Sequence, residues 1–128
     1  MSGFPDRVSG VLARALALRL ERQHLLAGNI ANANTPGYVP VDMRFDRVLE
    51  SALQEGTAAE TAPAAAPAPT PEVVYDPAVV PGLDGNAVAL DRELAKLAEN
   101  STLYHAANRA LQKKLGMIRY AVGEGGAQ

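Results

Sequence analysis

Imidazole chemistry in this chain of 128 residues is limited to two histidines, His24 and His105, and there is no cysteine. The lack of cysteine excludes disulfides, thiol nucleophiles and zinc sites built from thiolates. The two histidines lie far apart in the sequence, and neither belongs to a cluster of further ligand residues. The sequence therefore predicts no metal site and no cofactor.

The best candidate for an acid/base pair is Asp42 with Asp46. Both stand in an alternating stretch, residues 41–47, beside Arg44 and Arg47. Charges in such a stretch are most simply explained as facing solvent. The chain also has no nucleophile elbow, phosphate-binding loop, dinucleotide motif or metalloprotease helix. These observations predict that the protein is not an enzyme.

Composition excludes several classes of partner. Lys plus Arg number 12 and Asp plus Glu number 14, a balance unlike that of proteins that bind nucleic acid. Residues 51–84 carry five acidic and no basic side chains, whereas both ends are mildly basic. No apolar run is long enough to span a bilayer, and arginines interrupt every candidate signal peptide. We therefore expect neither nucleic-acid binding, nor direct membrane insertion, nor a cleaved signal.

Composition also divides the chain into three parts. Residues 1–35 and 87–128 have helical patterns, whereas residues 36–86 hold eight of the nine prolines. The predicted fold is mainly α. Two long terminal helices pair as a coiled coil in one discontinuous domain (1–35 and 87–128), and an extended, largely irregular Ala/Pro-rich segment (36–86) joins them. Within that segment, residues 56–71 have the composition of a flexible linker.

The C-terminal segment carries the clearest heptad pattern. The predicted seam, meaning the stripe that faces the partner helix, consists of Leu90, Leu94, Leu97, Ser101, Tyr104, Asn108, Leu111, Leu115, Ile118 and Val122. Eight of these ten positions are apolar or aromatic, which is typical of a coiled coil. Asp84 or Asn86 is expected to cap this helix, and Gly123, Gly125 and Gly126 to end it.

The N-terminal helix is predicted from about Asp6, as its N-cap, to about Ala33. Its seam contains Val11, Leu18 and Leu25, followed by Asn29 and Asn32. Within the same apolar arc lie Arg19 and Arg22. Either their stems follow the seam and their charges reach water, or they meet carboxylates of other protein chains.

The helix is expected to stop at Asn34-Thr35-Pro36-Gly37, where Pro-Gly favours a type II turn. Two helices joined by a segment without a core bury only one stripe each. Ordering the chain costs on the order of 1–2 kcal/mol per residue, so we expect full order to require neighbouring copies or partner chains.

Two stretches carry a family resemblance. Residues 25–38, Leu-Leu-Ala-Gly-Asn-Ile-Ala-Asn-Ala-Asn-Thr-Pro-Gly-Tyr, resemble the N-terminal signature of bacterial flagellar rod and hook proteins, including the turn Thr35, Pro36, Gly37, Tyr38. Residues 83–104, from Leu-Asp-Gly-Asn-Ala-Val onward, resemble the C-terminal half of the short proximal-rod members. The resemblance implies a structural subunit of the basal-body proximal rod, located in the periplasmic space and exported by the flagellar type III apparatus.

Partners and residue roles follow from the same resemblance. It implies contacts with copies of itself, FlgC-like rod proteins, the junction protein FliE, the MS ring and the export gate. Asn29 and Asn32 would fix the helix register, or else only unwind the helix end before Pro36. Phe45 and Leu49 are similar to a short export-gate motif, although Phe45 could simply pack on the helices. The alternatives are another short rod subunit (FlgC-like) or a coiled-coil protein-binding module.

Overall fold

The computed structural model describes residues 3–58, 73–75 and 87–125. These form α1 (Gly3–Ala31), β1 (Val41–Met43), α2 (Phe45–Ala58), β2 (Val73–Tyr75) and α3 (Leu90–Gly125). The protein is mainly helical, as predicted. No helix among these residues is both long and apolar enough to cross a membrane.

The two long helices pack against each other in antiparallel fashion. Asn29, near the C-terminal end of α1, contacts Glu93 near the start of α3, whereas Arg19 contacts Asn100 farther along α3. The predicted pairing of the terminal helices is therefore confirmed. Coiled-coil geometry and the domain limits 1–35 and 87–128 stay predictions.

The helix ends differ slightly from those expected. Helix α1 begins at Gly3, so Asp6 lies inside its first turns rather than at the N-cap. Proline is tolerated in a first helical turn, which lets Pro5 lie within α1. Helix α1 ends at Ala31, where the Ala33 amide bonds to the Ile30 carbonyl and tightens the chain. The proposed caps of α3, Asp84 and Asn86, lie outside the described residues.

The middle segment is not wholly extended, and here the sequence interpretation was wrong. Residues 45–58 form α2, because Phe45, Val48 and Leu49 recur at the three- and four-residue spacing of a helix. Ahead of it, β1 pairs antiparallel with β2, with Val41 opposite Tyr75 and Met43 opposite Val73. Most of the predicted linker 56–71 lies outside the described residues.

The core forms where α1, β1 and α2 meet. Its buried side chains are Leu18, Met43, Phe45 and Val48, with Leu25 and Leu49 packed against them. Leu26 of α1 is also fully buried. Phe45 thus packs on the helices in the folded chain, which is one of the two roles expected for this residue.

Candidate functional site

Asn29 is the residue on which α1, β1 and α3 converge, and it is completely buried. Its Nδ2 donates to the Val41 carbonyl and to Glu93 Oε2, both at 2.8 Å. Its Oδ1 accepts from the Val41 amide and the Tyr38 hydroxyl, both at 3.0 Å. All four hydrogen-bonding positions of the side-chain amide are used, so no other residue type fits this site equally well.

The turn after α1 brings Tyr38 and Val41 back to Asn29. The Tyr38 amide donates to the Thr35 carbonyl at 3.2 Å, and Gly37 has a φ of 76°. This is the geometry of a type II turn with Pro36 and Gly37 at its centre. Asn32 donates to the Gly28 carbonyl at 2.9 Å and accepts from the Thr35 hydroxyl. Asn32 thus satisfies groups at the helix end, whereas Asn29 makes the contacts between elements.

A charged network surrounds this junction. The Arg22 guanidinium forms a two-pronged bond with Asp42, at 2.9 and 3.1 Å. Lys96 Nζ lies 3.0 Å from Glu93 Oε1 and 3.6 Å from Asp42 Oδ2. Two cations and two carboxylates therefore alternate from α1 through β1 to α3.

The network changes the protonation equilibria of its members. Burial raises the pKa of Asp42, but hydrogen bonds from Arg22 and the Met43 amide, with the charges of Arg22 and Lys96, outweigh burial and lower it overall. The hydrogen bond to Asp42 raises the pKa of Arg22 against the opposing effect of burial. Both side chains are therefore charged in the folded chain.

A second polar contact joins the helices farther from the turn. The buried Asn100 of α3 donates to the Arg19 carbonyl at 2.9 Å and to Gln23 Oε1 at 2.7 Å. Arg19 itself lies over the ring of Phe45, with its guanidinium carbon 4.1 Å from the ring centre. Among the described residues, every buried side-chain nitrogen or oxygen has a hydrogen-bond partner.

The residues of the predicted seam differ in how far they are buried in the folded chain. The partly or fully buried members of the predicted set are Val11, Leu18, Leu25, Asn29, Asn32, Leu97, Ser101, Tyr104, Asn108, Leu111 and Ile118. By contrast, Leu90, Leu94 and Leu115 remain 41–48% exposed, so packing on α1 does not bury them. The second buried line instead begins with Glu93 and Asn100, each one position before a predicted residue.

Other residues were missed or placed differently. Asp42 is paired with Arg22 instead of facing solvent, and the carboxylate that Arg22 meets belongs to its own chain. Glu93 and Asn100 were not predicted to lie in the interface between the helices, because a coiled-coil seam is normally identified by its apolar residues. Their signal is the heptad spacing that they share, alongside Leu97 and Tyr104.

The described residues contain no group of three or more His, Cys, Asp or Glu side chains that could hold a metal ion. The chemistry of the junction is that of buried hydrogen bonds and ion pairs. These contacts join two helices and an extended segment, as expected of a structural component.

Comparison with known proteins gives the family. A family model described as "Flagella basal body rod protein" matches residues 11–38, a range that contains Asn29 and the turn. The flagellar basal body rod protein FlgB of Cereibacter sphaeroides is 38% identical over 126 residues, covering 95% of this chain and 98% of the relative. FlgB of Escherichia coli is 40% identical, covering 81% and 85%. FlgB of Salmonella typhimurium is 36% identical, covering 92% and 97%. The chain therefore belongs to the flagellar basal body rod protein FlgB family.

Proposed function

We propose that this subunit enters the proximal part of the rod, in the periplasmic space, through apolar surfaces that its paired helices leave uncovered. Its family makes it a structural component of the flagellar basal body rod. The proposal concerns its export and its neighbours in the rod.

The observation that carries the proposal is the exposure of large apolar side chains along α3. Leu94, Leu115 and Val122 are 48, 41 and 70% exposed, and multiples of seven residues separate them. They therefore share one line of the helix, beside the buried line through Leu97, and the partly buried Ser101 and Asn108 lie on that line between Leu94 and Leu115. Leu103 and Met117, 40 and 60% exposed, form a second line fourteen residues apart.

Because exposed apolar side chains lie on both sides of the two buried lines, the helix can contact several neighbours. Exposed patches of this kind in a folded chain mark protein contacts. On this proposal the predicted seam residues Leu90, Leu94 and Leu115 belong to contacts between subunits. Their neighbours are copies of this chain, FlgC-like subunits and FliE, with the MS ring outside.

Substitution of the exposed line tests the proposal in a strain that lacks its own copy of the gene and carries each variant in its place. The variant Leu94→Gln/Leu115→Gln keeps side-chain length while removing apolar surface. Ala106→Gln, on an exposed part of the same helix, is the matched control. We expect the double variant to be secreted but missing from purified basal bodies. Normal incorporation and swimming would show that this line is not an assembly surface.

The neighbours can be identified by cross-linking basal bodies before mass spectrometry. Lys113 and Lys114 supply amines on α3 beyond the charged network. Links from these residues to FliE or to an FlgC-like subunit would support the proximal-rod position. Links to distal components alone would contradict it.

Export is the second part of the proposal. We propose that Phe45 and Leu49 engage the type III export gate before the chain folds. Phe45 is only 8% exposed in the folded subunit, so the gate would have to read it in the unfolded chain. Once folded, the same side chain belongs to the core.

A further inference from the structure

A cavity of about 410 Å³ lies between α1, the first turn of α2 and α3. Four arginines line it, namely Arg19, Arg22, Arg44 and Arg47, together with the carboxylates of Asp46 and Glu99. The network around Asn29 accounts for only one of these guanidinium groups, that of Arg22.

The charges in this cavity are not matched within the described part of the chain. Arg22 is held by Asp42, but Arg19, Arg44 and Arg47 form no ion pair with any described residue. Asp46 and Glu99 are exposed at the rim and likewise form no ion pair there. Among the described residues, three arginines without an ion pair thus face two carboxylates, whose charges act on Arg19 from beyond ion-pair distance.

Arg19 is the best placed to receive an anion. It is partly buried against Phe45, and among the described residues its guanidinium donates to the neutral Asn100 Oδ1, at 3.4 Å. Burial and the charge of Arg22 lower the pKa of Arg19 against the opposing effect of Glu99 and Asp46, so a further anion nearby would stabilise the charged form of Arg19. The residue before α2 is Arg44, which accepts from the Val48 amide through its backbone carbonyl but has no side-chain oxygen to cap the other first-turn amides.

The lining favours carboxylates on a polypeptide over a small multivalent anion. Phe45, Met43 and Leu103 supply apolar surface beside the arginines. Asp46 and Glu99 would repel a phosphate dianion more strongly than singly charged carboxylates spaced along a chain. A bidentate guanidinium contact suits such a carboxylate.

The sequence contains a segment with the complementary charge. Residues 51–84 carry Glu55, Glu60, Glu72, Asp76 and Asp84 and no lysine or arginine. We propose that the arginine cavity binds carboxylates from residues 51–84 of a second copy of this chain. The inference rests on the proposed function, because rod assembly places copies side by side.

A labelled synthetic peptide with the sequence of residues 51–72, which includes three glutamates, tests the inference by fluorescence anisotropy with the full chain. We expect binding that weakens about fivefold in Arg44→Gln/Arg47→Gln and when the peptide glutamates become glutamines. Arg7→Gln/Arg109→Gln removes the same charge at exposed positions outside the cavity lining and is expected to leave binding unchanged. Circular dichroism checks that each variant folds.

Several results would overturn the inference. Equal binding by both arginine variants, or no binding at all, would show that the cavity does not hold the segment. Competition by inorganic phosphate at concentrations similar to the peptide would indicate a small-anion site. If the peptide bound only to a receiving chain that carries Glu60→Gln/Glu72→Gln, the cavity of the wild-type chain would be occupied by that chain's own acidic segment.

The proposed function is measured separately, by the amount of chain in purified basal bodies. If the wild-type chain is present there while the peptide fails to bind, only the inference about the cavity is lost. If the wild-type chain is absent from basal bodies, the proposed rod function is lost, whatever the peptide does.

Discussion

Asn29 and Glu93 lie on opposite long helices, and the Asn29 amide donates to the Glu93 carboxylate at 2.8 Å with both side chains buried. A buried carboxylate is costly unless it is hydrogen-bonded and paired. Lys96 supplies the ion pair, and Asn29 supplies the bond across the helices. Asn29 also bonds to both backbone groups of Val41, so this one side chain links α1, β1 and α3.

The first prediction concerns this bond. Asn29→Asp keeps the side-chain shape but replaces the donor group by an oxygen facing Glu93. We expect the free energy of unfolding to fall by about 3 kcal/mol or more, because buried donors are lost and like charges meet. Urea denaturation followed by circular dichroism measures the change.

A second substitution separates loss of the Asn29–Glu93 hydrogen bond from non-specific loss of stability. In the double variant Asn29→Asp/Glu93→Gln, the amide introduced at position 93 can donate to the carboxylate introduced at position 29. The double variant should therefore be more stable than Asn29→Asp alone. Asn34→Asp, at an exposed turn position, is the control. If Asn29→Asp were as stable as this control, the junction would contribute nothing to the fold.

The second prediction concerns pH. The pKa of Asp42 is below the ordinary aspartate value of 3.8 in the folded chain. Its charge therefore adds stability that is fully present above pH 3.8 and is lost as the pH falls through the lower folded-state pKa. Asp42→Asn should reduce the urea midpoint at pH 7, and its difference from the wild type should shrink below pH 3.8. Glu50→Gln removes an exposed carboxylate as control; a difference that did not change with pH would contradict the ion-pair explanation.

The third prediction uses two glycines with opposite expected effects. Gly37 has a positive φ, so Gly37→Ala should lower the free energy of unfolding by about 1 kcal/mol. Gly28 lies inside α1 with no atom within 4 Å of an added methyl group. Gly28→Ala should therefore raise the free energy of unfolding by about 0.5–1 kcal/mol. If Gly37→Ala did not lower the free energy of unfolding, the positive φ of Gly37 would not contribute to stability, and if Gly28→Ala did not raise it, helix propensity would not limit α1 at this position.

The long helices and their pairing could be predicted from the sequence because heptad spacing reports a continuous apolar stripe. Helix α2 was missed although Phe45, Val48 and Leu49 have helical spacing. The alternation of residues 41–47 is a competing signal over the same residues, and β1 does use its first three positions. The two-residue period of a strand and the 3.6-residue period of a helix overlap at Phe45, so neither period alone predicts the structure there.

Heptad spacing places Glu93 and Asn100 on one line of α3, but it does not show that this line is buried. Glu93 and Asn100 are buried because partners far away in the sequence complete their hydrogen bonds, and no local pattern announces those partners. A carboxylate partner for Arg22 was one of two expected alternatives, but it was expected on another chain, and the sequence could not show that Asp42 of the same chain reaches Arg22. The polar and charged residues that interrupt the apolar faces, Arg22, Glu93 and Asn100, are therefore the ones that join the elements.

The fourth prediction separates folding from export at the core. Phe45→Ala and Met43→Ala both remove a buried side chain from the same cluster, and each should cost about 2–5 kcal/mol of stability. Only Phe45 belongs to the proposed export motif. In a strain lacking its own copy of the gene, we therefore expect Phe45→Ala to reduce the amount of chain secreted into the medium, and Met43→Ala to leave secretion near the wild-type level. Immunoblots of medium and cell fractions measure this ratio. If both variants are secreted equally well and both fail to enter basal bodies, Phe45 serves the folded core alone, and recognition by the export gate must depend on other residues.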